Sequence, residues 1–239
     1  MKFGSILIIT YGRSGSTLLQ GILNSIEGCL IRGENCNFCF GLFESYQNLL
    51  KAKTHRGDRP QHPWFGAHLL DETTFLIHAR RLVKDLLIAD VANAHKVTCY
   101  GFKEIRYAYL AEQTLIGYLA FLPQLFPNLA LIFNRRNLDD VMKSGWWRDI
   151  DQDEARSILR ETDRIFEEYA CTHANCYQIM YEDVVSQSAK LVGMFEFLGV
   201  PYLKDRVTRM LGMPFGYDPV QESVKNLRLH NGTGRVRED

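Results

Sequence analysis

Residues 11–17 read Tyr-Gly-Arg-Ser-Gly-Ser-Thr, between an apolar run at 3–10 and the helix-like stretch Leu18-Leu19-Gln20-Gly21-Ile22-Leu23. A buried strand, a small-residue turn and a helix start, in that order, bind anions. The free N–H groups at a helix N-terminus converge on one point, where the helix dipole adds partial positive charge. Gly12 and Gly15 let the backbone take unusual dihedrals and come close to a ligand. Ser14, Ser16 and Thr17 add hydroxyl donors, and Arg13 adds a planar fork suited to an oxyanion. A loop for ATP or GTP would carry a lysine directly before its hydroxyl pair. No lysine precedes Ser16-Thr17 here, and the loop is shorter.

A second set of anion-binding types lies at 134–144, Asn-Arg-Arg-Asn-Leu-Asp-Asp-Val-Met-Lys-Ser. It reads as a strand ending in arginines, then a helix with Ser144 eight residues after Arg136. Arg supplies a bidentate charge, and a hydroxyl two turns along the helix reaches the same anion. A third stretch runs Tyr181-Glu182-Asp183-Val184-Val185, followed by Phe197-Leu198-Gly199-Val200-Pro201. The first loop resembles the 5′-phosphosulfate loop of sulfotransferases that use 3′-phosphoadenosine 5′-phosphosulfate (PAPS). The second and third stretches are similar to that family's later signatures, and the resemblance spans residues 3–201. It implies PAPS as co-substrate and 3′,5′-adenosine bisphosphate (PAP) as product. It further implies that Gly12, Arg13, Ser14, Gly15, Ser16 and Thr17 hold the 5′ end, Arg136 and Ser144 the 3′-phosphate, and that Tyr181 lies near the adenine.

Sulfuryl transfer, by analogy with phosphoryl transfer, needs positioning and charge stabilisation more than covalent catalysis. It needs a base for the acceptor proton, a cation at the sulfuryl group and donors on the leaving phosphate. The Gly33-Glu34 pair resembles the catalytic glutamate of the carbohydrate and tyrosylprotein branches, and arginine in place of lysine at position 13 looks more like those branches too. Lys103 matches the family's strand-end lysine, with Arg106 a second cation for the same place. The rival is a histidine base after the third strand, but residues 100–106 contain no histidine. Catalytic roles thus fall to Glu34, Lys103 and Arg13. Plainer roles stay open: a surface carboxylate for Glu34, a solvated strand terminus for Lys103 and helix surface for Ser144. The expected acceptor is a hydroxyl of a glycan, glycolipid or small molecule. Trp64, His62, His68, Trp146 and Trp147 are candidates to line its pocket, with packing the alternative for the two adjacent tryptophans. Two other functions stay open, a P-loop kinase of a small molecule and a non-catalytic nucleotide-binding protein.

These residues need strand ends to stand on. β-branched, apolar runs recur at 6–10, 29–32, 97–102, 129–134 and 177–181, separated by helical spacing at 72–93, 113–126, 151–171 and 184–198. That alternation predicts an α/β fold, a three-layer parallel sheet with helices on both faces. The resemblance implies its P-loop nucleotide-hydrolase-like sulfotransferase form. Ligands in such folds sit at the carboxyl ends of the strands. Residues 51–68 read as a long loop, and 222–239 as either a solvated end or a mobile flap over the cofactor.

The 239 residues suit a single domain over 1–239. Lys+Arg and Asp+Glu are both 28, a balance that argues against a nucleic-acid or polybasic membrane binder. No apolar stretch is long enough to span a bilayer, and signal cleavage would destroy the loop at 11, so a cytoplasmic protein is expected. Its six cysteines are then reduced thiols. Cys36 and Cys39, with Cys171, His173 and Cys176, offer two halves of a zinc site, although incidental cysteines are the stronger reading and no metal is expected.

Overall fold

The structure, a computed structural model, describes residues 1–89 and 94–214. Strands β1 (Ser5–Ile9), β2 (Cys29–Arg32), β3 (Cys99–Glu104), β4 (Leu129–Arg135) and β5 (Cys176–Met180) form one sheet in the order β2-β3-β1-β4-β5. Every neighbouring pair is parallel; Ser5, for example, faces Tyr100 on one side and Leu129 on the other. The central strand is buried along its whole length, as a parallel strand covered on both faces must be.

Alternation along the strands divides the core in two. Leu7, Ile9, Leu131 and Phe133 point into one layer, with residues of α2 (Phe38–Lys53), α3 (Glu72–Ile88), α4 (Glu112–Leu125) and α6 (Gln152–Thr172). Ile6, Ile8, Ala130 and Ile132 point into the other, with residues of α1 (Ser16–Asn24), α8 (Ala189–Leu198) and α9 (Lys204–Leu211). The short helices α5 (Leu138–Met142) and α7 (Tyr181–Val185) follow β4 and β5 directly. The three-layer parallel architecture is therefore the expected one.

Three local expectations need correction. The segment 38–53 is helix, so the long loop starts after Lys53 and contains a 3-10 turn at Ala67–Leu69. The helix expected at 184–198 is two helices, because Gln187 takes a left-handed φ of 51° and the Ser188 hydroxyl caps α8 by accepting from Lys190 N. The helix expected at 72–93 ends at Ile88, and 90–93 lie outside the described residues. The tail at 222–239 lies outside them too.

Candidate active site

The carboxyl ends of the five strands bring the chemistry into one row. Glu34 follows β2, Lys103 and Arg106 stand at the end of β3, loop 10–17 follows β1, Arg136 follows β4 and Tyr181 follows β5. A cleft of about 1080 Å³ runs along this row. Gly12, Arg13, Gly15, Ser16, Thr17, Glu34, Lys103, Arg136 and Tyr181 all border it.

The loop is held from beneath. Asn134 Nδ2 donates to the Ser14 carbonyl at 3.0 Å, and Trp147 Nε1 donates to the Gly12 carbonyl at 3.0 Å. Thr10 Oγ1 lies 2.6 Å from both the Ser14 hydroxyl and the Asn134 carbonyl. Ser14 is consequently fully buried, and its hydroxyl belongs to this support rather than to the cleft. From above, a Cβ at Gly12 would lie 2.2 Å from the Trp146 ring, and one at Gly15 2.1 Å from the Tyr181 ring. Gly15 also takes φ 76° and opens α1 without a side-chain cap. The N–H groups of Ser16 and Thr17 thus have neither an intrahelical acceptor nor a capping side chain.

Arg136 joins this loop to the next strand end. Its Nη1 donates to the Arg13 carbonyl at 3.2 Å, and its guanidinium lies 4.6 Å from the Tyr181 ring centre. Among the described residues Arg136 Nε is a buried atom with no acceptor. A buried charged donor without a partner is costly, and the side chain it belongs to borders the cleft, where an anion can meet the guanidinium. Arg13 Nε donates to Ser144 Oγ at 2.8 Å. Ser144 is not on a helix as expected: α5 stops at Met142, and Ser144 is extended, leading into a 3-10 turn at Gly145–Asp149. Gly145, at φ 61°, turns the chain there beside the Arg13 side chain. Ser144 therefore meets Arg13 by a reversal of the chain, not by helical periodicity.

On the other side of the loop, Lys103 Nζ pairs with Glu34 Oε1 at 2.7 Å. Lys103 is only 4% exposed, which removes the reading of a solvated strand terminus. The sequence reading missed its neighbour Glu104. This carboxylate is fully buried and accepts from the backbone N–H groups of Asn35, Asn37, Ile105 and Arg106 and from Arg106 Nη1. It fastens the segment that carries Glu34 to the end of β3. The available signal was an ionisable residue in a buried strand, a position that requires partners.

A second buried carboxylate lies behind the loop. Burial lifts Asp163 to about 6, against the pull of Arg135 and the Tyr11 hydroxyl. Tyr11 is itself pushed well up by burial and by Asp163.

Some candidates fall away from the cleft. Trp147 is 1% exposed and packs under the loop, whereas Trp146 does border the cleft. Trp64 stacks on His55 with ring centres 3.9 Å apart, and His62 accepts from Trp64 N within the same segment. Neither these two nor His68, in the 3-10 turn, lines the cleft. The two halves of the suggested zinc site lie at opposite edges of the sheet, after β2 and at β5, so they cannot share an ion. Among the described residues no cluster of three His, Cys, Asp or Glu side chains is arranged to hold a metal. No helix among them is long and apolar enough to cross a membrane.

Comparison with known proteins agrees with this fold. The sulfotransferase domain of the Synechococcus PCC 7002 olefin synthase superposes with a TM-score of 0.52 at 20% identity, covering 91% of this chain and 78% of its own. Sulfotransferase STF9 from Mycobacterium avium gives a TM-score of 0.41 at 13% identity, covering 100% of this chain and 71% of its own. A retinol dehydratase in complex with androsterone and the inactive cofactor PAP gives 0.41 at 12% identity, with 100% and 83% covered. Curated protein sequences give no match. The sequence pattern of one family matches residues 5–205, most of the chain. The chain belongs to the sulfotransferase family.

Proposed function

We propose that the protein moves the sulfuryl group of PAPS to a hydroxyl of a glycan, glycolipid or small-molecule acceptor, with PAP as the second product and the whole chain acting as one domain. The observation that carries this reading is the pairing of two anion cradles through the Arg136–Arg13 bond, one at the open end of α1 and one at the Arg136 guanidinium, whose Nε has no acceptor among the described residues. A nucleotide with phosphates at both ends of its ribose suits two such cradles. Gly12, Gly15, Ser16 and Thr17 would hold the 5′ side through backbone and hydroxyl donors, with Ser14 contributing its backbone. Arg136, with Ser144 acting through Arg13, would hold the 3′-phosphate, and Tyr181 would lie along the base. PAPS when bound supplies an activated sulfuryl group with a phosphate leaving group.

The residues of the chain do the rest. Glu34 takes the acceptor proton as the acceptor oxygen bonds to sulfur and the sulfur–phosphate oxygen bond breaks. Once protonated, Glu34 no longer holds the Lys103 ammonium by charge, which leaves Lys103 for the charge growing on the leaving oxygen. Arg13 stabilises the transferred group from the loop side. Trp146, whose ring lies against Gly12 and borders the cleft, offers the acceptor an aromatic surface and keeps water off the loop. The charge is met by side chains, so the reaction needs no metal, and the six free thiols support a cytoplasmic setting. Labelled PAPS offered with phenols, sugars and glycolipids should give a labelled acceptor, unchanged by EDTA. Transfer that required Mg²⁺ and ATP instead would favour the kinase reading.

A further inference from the structure

Arg13, Lys103, Arg106 and Arg136 border the cleft, and the function above employs three of them. Arg106 is left over. Its place in the row is informative. The strand order sets β4 and β5, with Arg136 and Tyr181, on one side of the 11–17 loop, and β2 and β3 on the other. The nucleotide's 3′ end therefore belongs to the β4–β5 side. In-line transfer brings the acceptor from the side opposite the leaving group, which is where Glu34 and Arg106 stand.

Arg106 is also held ready. Its backbone N–H and its Nη1 both reach Glu104 Oε1, at 3.2 and 2.8 Å. Glu104 has three further backbone donors, so the guanidinium is not needed merely to satisfy it. The side chain is 41% exposed, and among the described residues only Glu104 accepts from its guanidinium. A planar fork anchored at one nitrogen, on a partly exposed side chain that borders a cleft, is preorganised for an oxyanion.

We propose that Arg106 recognises an oxyanion, a carboxylate or a phosphate, carried by the acceptor near the hydroxyl that is sulfated. The acceptor is then a hydroxylated acid or a phosphorylated alcohol rather than a neutral one. This rests on the sulfotransferase reading, because that reading identifies the acceptor side of the cleft.

Binding to the PAP-saturated protein tests it without turnover. The probes are 4-hydroxyphenylacetate against its amide and glucose 6-phosphate against glucose, titrated by ligand-observed NMR. The anionic member of at least one pair should bind about tenfold or more tightly than its neutral partner, as a charged hydrogen bond of ~1.5–3 kcal/mol gives. The pair that responds identifies the anion. Arg106→Gln should erase that preference and Arg106→Lys should keep part of it, both with the PAP dissociation constant unchanged, which reports an intact site. No preference in either pair, or a preference that survives Arg106→Gln, would overturn the proposal while leaving the nucleotide reading in place. Failure of the wild type to bind PAP would remove both.

Discussion

Glu34 and Lys103 are adjacent ends of one ion pair, so neither can be changed without altering the other's surroundings. Glu34→Gln keeps the shape and cannot take a proton; it should lower kcat by roughly 10²–10⁴ with PAP affinity preserved. Lys103→Ala should lower kcat by roughly 10²–10³, with PAP affinity within a few fold. Because the two act as a unit, the double variant should fall little below the worse single one; a product of the two losses in steady-state rates would mean that they act independently. Glu104→Gln belongs to the same neighbourhood. It sets a donating NH2 among five N–H donors where only an acceptor fits, and should cost about 1–3 kcal/mol or more in a urea melt. Residues such as Arg13, Glu34, Lys103 and Arg136 were legible because each stands where a strand ends, a position set by local sequence. Glu104 was not: its partners come from a segment some seventy residues away, and no spacing within the chain announces them.

At the scale of elements, loop 10–17 depends on what packs behind it. Tyr11 and Arg135, at the ends of neighbouring strands, both meet Asp163 on α6. A buried carboxyl raised to about 6 binds its proton in the folded state at pH values where the unfolded chain, near 3.9, has already lost it. Stability therefore falls as pH rises from about 4 through 6. Asp163→Asn should remove that slope between pH 4 and 7, read from the thermal midpoint; a slope unchanged in the variant would assign it to other groups. Strand positions were readable within two residues because continuous apolar runs mark buried parallel strands. Helix α2 was hidden: its first turns read Phe-Cys-Phe-Gly-Leu-Phe, an apolar cluster without a clear helical stripe. Ser144 was misplaced for a different reason. Arg136 plus eight residues implies two helical turns, but the helix stops at Met142, Ser144 is extended, and the left-handed Gly145 after it turns the chain beside Arg13.

For the whole molecule, three motifs in order imply the sheet, and in the proposed function the sheet sorts the cleft into a nucleotide side and an acceptor side. The first half of that was legible, since a turn between a buried strand and a helix binds anions whatever surrounds it. The acceptor side was not, because its walls come from separate segments, and Trp64 stacks on His55 while His62 accepts from Trp64 N, away from the cleft. Two anion cradles one nucleotide apart should select a nucleotide that carries both a 3′- and a 5′-phosphate. Isothermal titration of PAP against adenosine 5′-monophosphate, with wild type and Arg136→Ala, tests it most directly. The wild type should bind PAP at least about tenfold more tightly, since a charged hydrogen bond contributes ~1.5–3 kcal/mol, and Arg136→Ala should bring the ratio towards one. Equal binding of the two nucleotides by the wild type would contradict the account.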